Sequence, residues 1–391
     1  MITLKLRARE ERRLRAGHLW AYSNEIDTDE RYKTIEPGTL CRLLDSRGKP
    51  LGVGYVNPRT LLALRLLSSD VSAPLDQAWF ERRIAAALAL RERIYPGPYY
   101  RLVYGEADGL PGLVVDRYGA VCVVQITTAG IERLKDVVLA ALQAVLKPEG
   151  IVLRNDSSAR ELEGLPAYTE VVGTVPDRVE IDEDGVRYAL SLTAGQKTGF
   201  FFDQRDNRTR LQRYVRGRSV LDVFSYVGAW ALRSAHYGAS KVSCIDSSES
   251  ALDAAKANAA LNGVELEAIR GDALAAMKAL RGDARTFDVI VVDPPALIKR
   301  RKDHDAGIEH YAALNRAAMQ LLPGDGILIS CSCSHHLEPE QLQRVLLREA
   351  RAAGRRLQIL EQGGQGPDHP VHPAIVETRY LKAFVCRVIN G

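Results

Sequence analysis

Five short apolar runs, each closing on acidic, hydroxyl or thiol residues, recur through the second half of this chain. They are SVLDVFS (219–225), KVSCID (241–246), LEAIRGD (266–272), FDVIVVDPP (287–295) and GILISCSCS (326–334). Helical segments lie between them. Gly228 opens one that runs to Tyr237, and SESALDAAKANAALNG has Ser248 to cap it and Gly263 to close it; a third runs to about Leu280, and a fourth covers 309–322. Strands alternating with helices at this spacing fold as a parallel sheet with helices on both faces. Two further runs, LQILEQ (357–362) and RYLKAFVCRV (379–388), have no helix between them, so the last strand is expected to enter antiparallel.

The first half reads differently. In residues 1–72, Ile2, Leu4 and Leu6 alternate with Thr3 and Lys5, and the turn signals Glu36-Pro37-Gly38 and Ser46-Arg47-Gly48 separate short apolar stretches. This predicts a small β-rich domain. SDVSAPLD (69–76) reads as a linker, and Trp79 to Arg93 as a helix with Phe80, Ile84, Leu88 and the Arg91 stem on one face. From 99 to 190 the pattern is mixed: LPGLVVDRYGAVCVVQI (110–126) predicts a hairpin turning at Arg117-Tyr118-Gly119, 131–146 a helix and GIVLRND (150–156) a strand. The expected domains are therefore 1–72, a central α+β domain over 73–190, and an α/β domain over 191–391.

No apolar run approaches the eighteen or so residues of a membrane span, and MITLKLRARE has no apolar signal-peptide core, so a cytoplasmic protein with no membrane partner is expected. Six scattered cysteines do not make a disulfide framework. The formal net charge of +4 can be located entirely in residues 1–72, which hold 13 Lys/Arg against 9 Asp/Glu. Lys5, Arg7, Arg9, Arg12, Arg13 and Arg15 cluster there, a pattern that suits phosphate contacts as well as it suits a solvated face.

Ligands of open α/β sheets bind beyond the carboxyl ends of the strands. A dinucleotide fold would place G-x-G-x-x-G after the first strand, whereas FSYVGAW (224–230) has a single glycine and no phosphate nest. The site therefore suits a nucleoside ligand without phosphates. Asp222, Ser225, Tyr226 and Gly228 stand at the end of the first strand. Asp246, followed by Ser247, is placed to bind a ribose diol, and Asp272, followed by Ala273, to reach an adenine amino group. This is the arrangement of class I S-adenosylmethionine (SAM) methyltransferases, and SAM is the expected cofactor.

Asp293-Pro294-Pro295 resembles the D-P-P motif of enzymes that methylate exocyclic base nitrogens, but Ala296 stands where those have a stacking aromatic. The thiols offer another chemistry. Carbon-5 of a pyrimidine attacks a sulfonium methyl only after a thiolate has added at carbon-6, and a carboxyl such as Asp293 can hydrogen-bond the ring as charge develops. Cys333 falls past the apolar run, at the mouth of the site, and Cys331 lies deeper on the same side. A zinc site built on Cys331, Cys333 and His335 or His336 lacks a second ligand pair nearby, so no metal is expected.

These residues resemble a family: the bacterial 23S rRNA large-subunit cytosine-5 methyltransferases of the RlmI type. AGHLWAYSNEI (16–26) resembles the first signature of its N-terminal PUA domain, a small RNA-binding β-barrel, and RLVYGEADGLPGLVVDRYG (101–119) the start of its central domain. LTAGQKTGFFFDQRDNR (192–208) resembles the opening of its catalytic domain, and DPP (293–295), SCS (332–334) and DHPVHP (368–373) complete the set. The resemblance implies a PUA barrel, a β-β-α-β-β-like central domain and a Rossmann-like class I methyltransferase sheet. It implies Cys333 as nucleophile and an FFFDQRDNR segment that helps enclose SAM through Phe201, Asp203 and Arg208. It also implies a homodimer acting on 23S rRNA or a large-subunit precursor. Glu377, in IVETRYLK, stands where uracil-5 relatives have a glutamate base.

Several other residues carry two readings. Trp20 and Tyr22 suit base stacking or a barrel core. Lys197 and Arg205 suit contacts to phosphate or to the SAM carboxylate, or plain solvation. His369 and His372 flank prolines in a loop and are read as shaping the pocket rather than moving protons.

Overall fold

Alternation at the start of the chain becomes a strand: in Ile2–Leu6, Leu4 and Leu6 are buried while Thr3 and Lys5 between them are exposed. The structure, a computed structural model, describes residues 1–193 and 199–391; Lys197 lies outside the described residues. Two units are formed. Unit 1 comprises Met1–Val179, Ser191–Phe202 and Pro367–Thr378, and unit 2 comprises Glu180–Leu190, Asp203–Gly366 and Arg379–Gly391.

Unit 1 contains two sheets. The first has six short strands between Ile2 and Ser68, around a core that includes Leu4, Leu6, Ile26, Leu43, Val56 and Leu64. Its strand Pro50–Val56 passes so close to the neighbouring strand that a Cβ added at Gly54 would stand 2.0 Å from the Arg65 carbonyl oxygen. Only glycine fits there. The second sheet has five strands between Tyr99 and Gly173, covered by helices Gln77–Ile94 and Lys135–Leu146. The hairpin expected over 110–126 forms from Leu113–Tyr118 and Val121–Ile126, with Tyr118 opposite Val121. Three strands precede the helix instead of two, because Tyr99–Tyr104 pairs antiparallel with Leu113–Tyr118. Arg91, on the buried face of its helix as expected, is held by both oxygens of Asp108 at 2.6 and 2.8 Å.

Unit 2 is built on a seven-stranded sheet. Its strands are β1 (Ser219–Val223), β2 (Lys241–Asp246), β3 (Leu266–Arg270), β4 (Val289–Val292), β5 (Asp325–Ser332), β6 (Arg355–Gly363) and β7 (Lys382–Asn390). The spatial order is β3-β2-β1-β4-β5-β7-β6, and β7 runs antiparallel to both of its neighbours. The helices between its strands are α1 (Ala229–His236), α2 (Glu249–Leu261), α3 (Ala273–Gly282), α4 (His304–Leu321) and α5 (Pro339–Ala352). One face of the sheet, with Leu221, Val223, Ile290 and Leu328, packs against Met277, Tyr311, Leu314 and Leu346 of α3, α4 and α5. The other, with Val220, Val291, Ile329 and Cys331, packs against Trp230 and Ala231 of α1. The near-continuous apolar runs follow from burial on both faces. Among the described residues no helix is long and apolar enough to cross a membrane.

Candidate active site

Two sets of polar groups collect at the carboxyl ends of these strands. At the first, β1 delivers the fully buried Asp222, whose Oδ2 accepts from the Ala231 amide at 3.1 Å while Oδ1 has no partner among the described residues. Burial, reinforced by the Asp293 and Asp246 carboxylates, pushes the Asp222 carboxyl up to about 8. The chain then turns through the buried Ser225, with Phe224 (φ 69°), Tyr226 (φ 48°) and Gly228 (φ 78°) all left-handed. Two non-glycine residues in that region store strain of order 1 kcal/mol each, a feature that concentrates at functional turns. A Cβ at Gly228 would meet that of Ala255 at 3.2 Å, so the glycine also lets α1 lie close on α2.

Asp246 closes β2. Its Oδ2 accepts from the Tyr226 amide and its Oδ1 from the Ser248 amide, both at 2.9 Å. Pinned by two backbone donors, the partly exposed carboxylate keeps a further lone pair on each oxygen. Ser247 beside it is exposed. Asp272 caps α3 by accepting from the Ala275 amide at 3.0 Å; it is exposed, with Ala273 buried behind it. A rigid carboxylate with two acceptors for a diol, a tight turn without a phosphate nest and an exposed acid one strand along fit SAM.

The second set lies on β4, β5 and β7. Ser332 and Ser334 are buried: Ser332 donates to the Tyr311 hydroxyl at 2.8 Å, and the Ser334 hydroxyl lies 2.9 Å from it and accepts from the Ile298 amide. With both serines turned inward, Cys333 between them is the one cysteine of six that is not buried. Its Sγ approaches the Pro294 carbonyl at 3.9 Å. Cys331 is fully buried, and burial together with the Asp293 charge holds its thiol well above the usual range.

Asp293, next to Pro294, accepts from Gln204 Nε2 and from Trp230 Nε1, each at 3.0 Å. Desolvation lifts this carboxyl to about 6, against the pull of those two donors and of Arg208. Asp203 is buried; its Oδ2 accepts from the Tyr380 hydroxyl at 2.5 Å, and its Oδ1 has no partner among the described residues. Arg208 is turned into the interior, where it grips Glu183 through two bonds of 2.7 and 2.6 Å, and Arg205 joins the same carboxylate at 3.3 Å. These guanidinia hold the buried Glu183 carboxyl below its usual range despite desolvation. The ion pairs fix the helical turn that presents Gln204.

Unit 2 thus gathers Asp203, Arg208, Asp222, Ser225, Tyr226, Gly228, Asp246, Ser247, Asp272, Ala273, Asp293 and Cys333. Phe201 and Glu377 belong to unit 1, Phe201 partly exposed and Glu377 exposed on the turn Val376–Thr378. In unit 1, Trp20 donates to Glu106 at 2.9 Å and Tyr22 lies under the Arg13 guanidinium. His369 is buried against the Tyr104 ring and held by Asp368; His372 is partly exposed.

Sequence reasoning passed over Gln204, Trp230, Tyr311, Tyr380 and Lys382. Only Lys382 carried a signal: a cation that opens the apolar run KAFVC (382–386). Its Nζ is buried and donates to the carbonyl oxygens of Ser334 (2.5 Å) and Tyr380 (2.8 Å).

Comparison with known proteins adds to this geometry. Residues 4–69 match a PUA-like domain family and residues 152–387 an S-adenosylmethionine-dependent methyltransferase family. The ribosomal RNA large subunit methyltransferase I of Cronobacter sakazakii is 35% identical over 99% of this chain and 100% of its own length. Its namesake from Shewanella denitrificans is 35% identical over 99% of each. Among solved structures, a methyltransferase-class protein complexed with SAH superposes with a TM-score of 0.85 at 21% identity, covering 99% of this chain and 100% of that one.

Proposed function

From the premise that the chain belongs to the S-adenosylmethionine-dependent methyltransferase family, alongside the ribosomal RNA large subunit methyltransferases I, we propose that it methylates carbon-5 of a cytosine in large-subunit rRNA. The observation that carries this reading is Cys333: the single cysteine that is not buried stands past the end of β5, beside the Asp293-Pro294 turn.

Asp246 would hold the ribose diol of SAM and Asp272 the adenine amino group. Ser225, Tyr226, Gly228, Ser247 and Ala273 would shape the pocket wall, Asp222 would brace it from beneath, and Phe201, Asp203 and Arg208 would support its rim. When bound, SAM supplies an electrophilic methyl group. The Cys333 thiolate forms a bond to carbon-6; the ring π electrons shift toward N3, which Asp293 meets with a hydrogen bond, and carbon-5 gains the electron pair that accepts a methyl group. A carboxyl near 6 can donate when protonated and accept when ionised, which suits a ring nitrogen that gains and then loses charge. Removal of the carbon-5 proton returns its electron pair to the ring and expels the thiolate. Glu377 is the candidate base; Glu377→Gln is expected to accumulate the covalent RNA adduct.

The exposed Lys5, Arg7, Arg9 and Arg12, which make no ion pair among the described residues, would meet phosphates. The functional division at 1–72, 73–190 and 191–391, the homodimer and the cytoplasmic setting belong to the same reading; light scattering of the purified protein tests the dimer. The chemistry is tested by mass spectrometry of nucleosides after incubating large-subunit rRNA, naked and in subunits, with labelled SAM. Labelled 5-methylcytidine is expected, and Cys333→Ala is expected to lose at least about a thousandfold in rate with SAM binding retained. Labelled 5-methyluridine or an N-methyl base would overturn the assignment, as would an active Cys333→Ala protein.

A further inference from the structure

We infer that Lys382 is the positioning residue of the thiol: its ammonium clamps the peptide on the far side of Cys333 and supplies the positive charge that favours the thiolate. The inference rests on the reading of Cys333 as nucleophile. Three observations carry it. Lys382 pairs with Ser332 across β5 and β7, and its Nζ bonds the carbonyl of Ser334, so it brackets Cys333 from both sides. The ammonium has three donors; two go to the Ser334 and Tyr380 carbonyls, and the third has no partner among the described residues. A lysine that is 6% exposed needs a compensating charge, and carbonyl oxygens supply only dipoles.

Burial, helped by Arg379, outweighs Cys333 and Glu338, which raise the affinity of Lys382 for a proton, and brings the ammonium down to about 8. Cys333 is faced in addition by the Tyr311 hydroxyl from α4 and by Cys331, with Asp293 beyond them. Lys382 is thus a buried cation beside the negative charges on this edge. In the step it promotes, Cys333 releases its proton to water and keeps the sulfur lone pair that later bonds carbon-6. The ammonium is present below about pH 8 and lost above it, so the assistance fades on the alkaline side.

The test is the pH dependence of Cys333 alkylation by iodoacetamide in the full chain, read by peptide mass spectrometry, for the native protein, Lys382→Gln and Lys382→Arg. The glutamine amide keeps two donors for the carbonyls and removes the charge; the arginine keeps the charge. The native midpoint is expected below the ordinary thiol value of about 8.5. Lys382→Gln is expected to raise it by at least about one pH unit, and Lys382→Arg to restore it while abolishing the alkaline limb near 8 in the native kcat/KM profile. A folded Lys382→Gln protein with an unmoved midpoint would overturn the inference. If that variant does not fold, a native midpoint at or above the ordinary value overturns it alone. A Cys333→Ala protein that still methylates would sink the nucleophile and leave the alkylation result standing, so the two failures are separable.

Discussion

The two ends of the sheet edge are built by different rules. At the ends of β1, β2 and β3 the carboxylates bind backbone amides: Asp246 reaches 2 and 20 residues, Asp272 reaches 3 and Asp222 reaches 9. On β4, β5 and β7 the partners are side chains drawn from afar, with separations of 21 for Ser332–Tyr311, 48 for Lys382–Ser334, 63 for Trp230–Asp293 and 89 for Gln204–Asp293. A cofactor common to many enzymes can be held by local backbone geometry. The thiol and its acid need a network that only the finished fold assembles, and networks of this kind are worth more than their separate bonds.

If that contrast holds, damage at one end should leave the other intact. Asp246→Ala is expected to weaken SAM binding roughly tenfold to a hundredfold, about 1–3 kcal/mol for a lost charged acceptor, while the Cys333 alkylation profile stays unchanged. Isothermal titration read beside alkylation checks both halves, and a shift in the profile would break the comparison. Asp222→Asn sharpens it. Because the native carboxyl sits near 8 when folded and near 4 when unfolded, the native protein loses stability as pH rises through that window, whereas the asparagine variant does not. The variant should melt like the native protein at about pH 4 and several degrees higher at about pH 8.5, read by thermal unfolding across pH. The smallest effect is expected from Trp230→Phe, which deletes one donor to Asp293. That bond holds the carboxyl down, so its loss should move the Asp293-dependent limb of the kcat/KM profile above about 6, by up to roughly one unit, with SAM affinity unchanged.

How much of this was legible in the sequence follows the same divide. Strand runs that end in acids announced the sheet, and the single glycine of FSYVGAW announced a pocket without phosphates, because both signals sit within a few residues of what they build. SCSCS announced a strand end with thiols; that Ser332 and Ser334 turn inward to Tyr311 while Cys333 faces out follows from a helix that contributes its hydroxyl from over twenty residues away. The family resemblance put Arg208 among the residues that enclose the cofactor. Its partner Glu183 belongs to a hairpin 25 residues earlier, a pairing no local pattern encodes. Gln204 and Trp230 were invisible for the same reason: an amide and an indole become ligands of Asp293 only when α1 and the helical turn that carries Gln204 converge on β4.

The order of the strands bears on how the thiol's surroundings come into being. β7 is the last strand in the sequence yet lies inside the sheet, between β5 and β6. Until residues 382–390 have been synthesised, β6 has no strand to pair with and β5 presents a bare edge. Every contact β6 makes in the sheet waits on its successor, a non-local closure that is slow to find. Lys382 enters with that strand, so the charge beside Cys333 arrives with the closing of the sheet. A nascent chain can assemble the proposed nucleoside pocket from β1 to β3 well before Lys382 reaches the proposed nucleophile, Cys333.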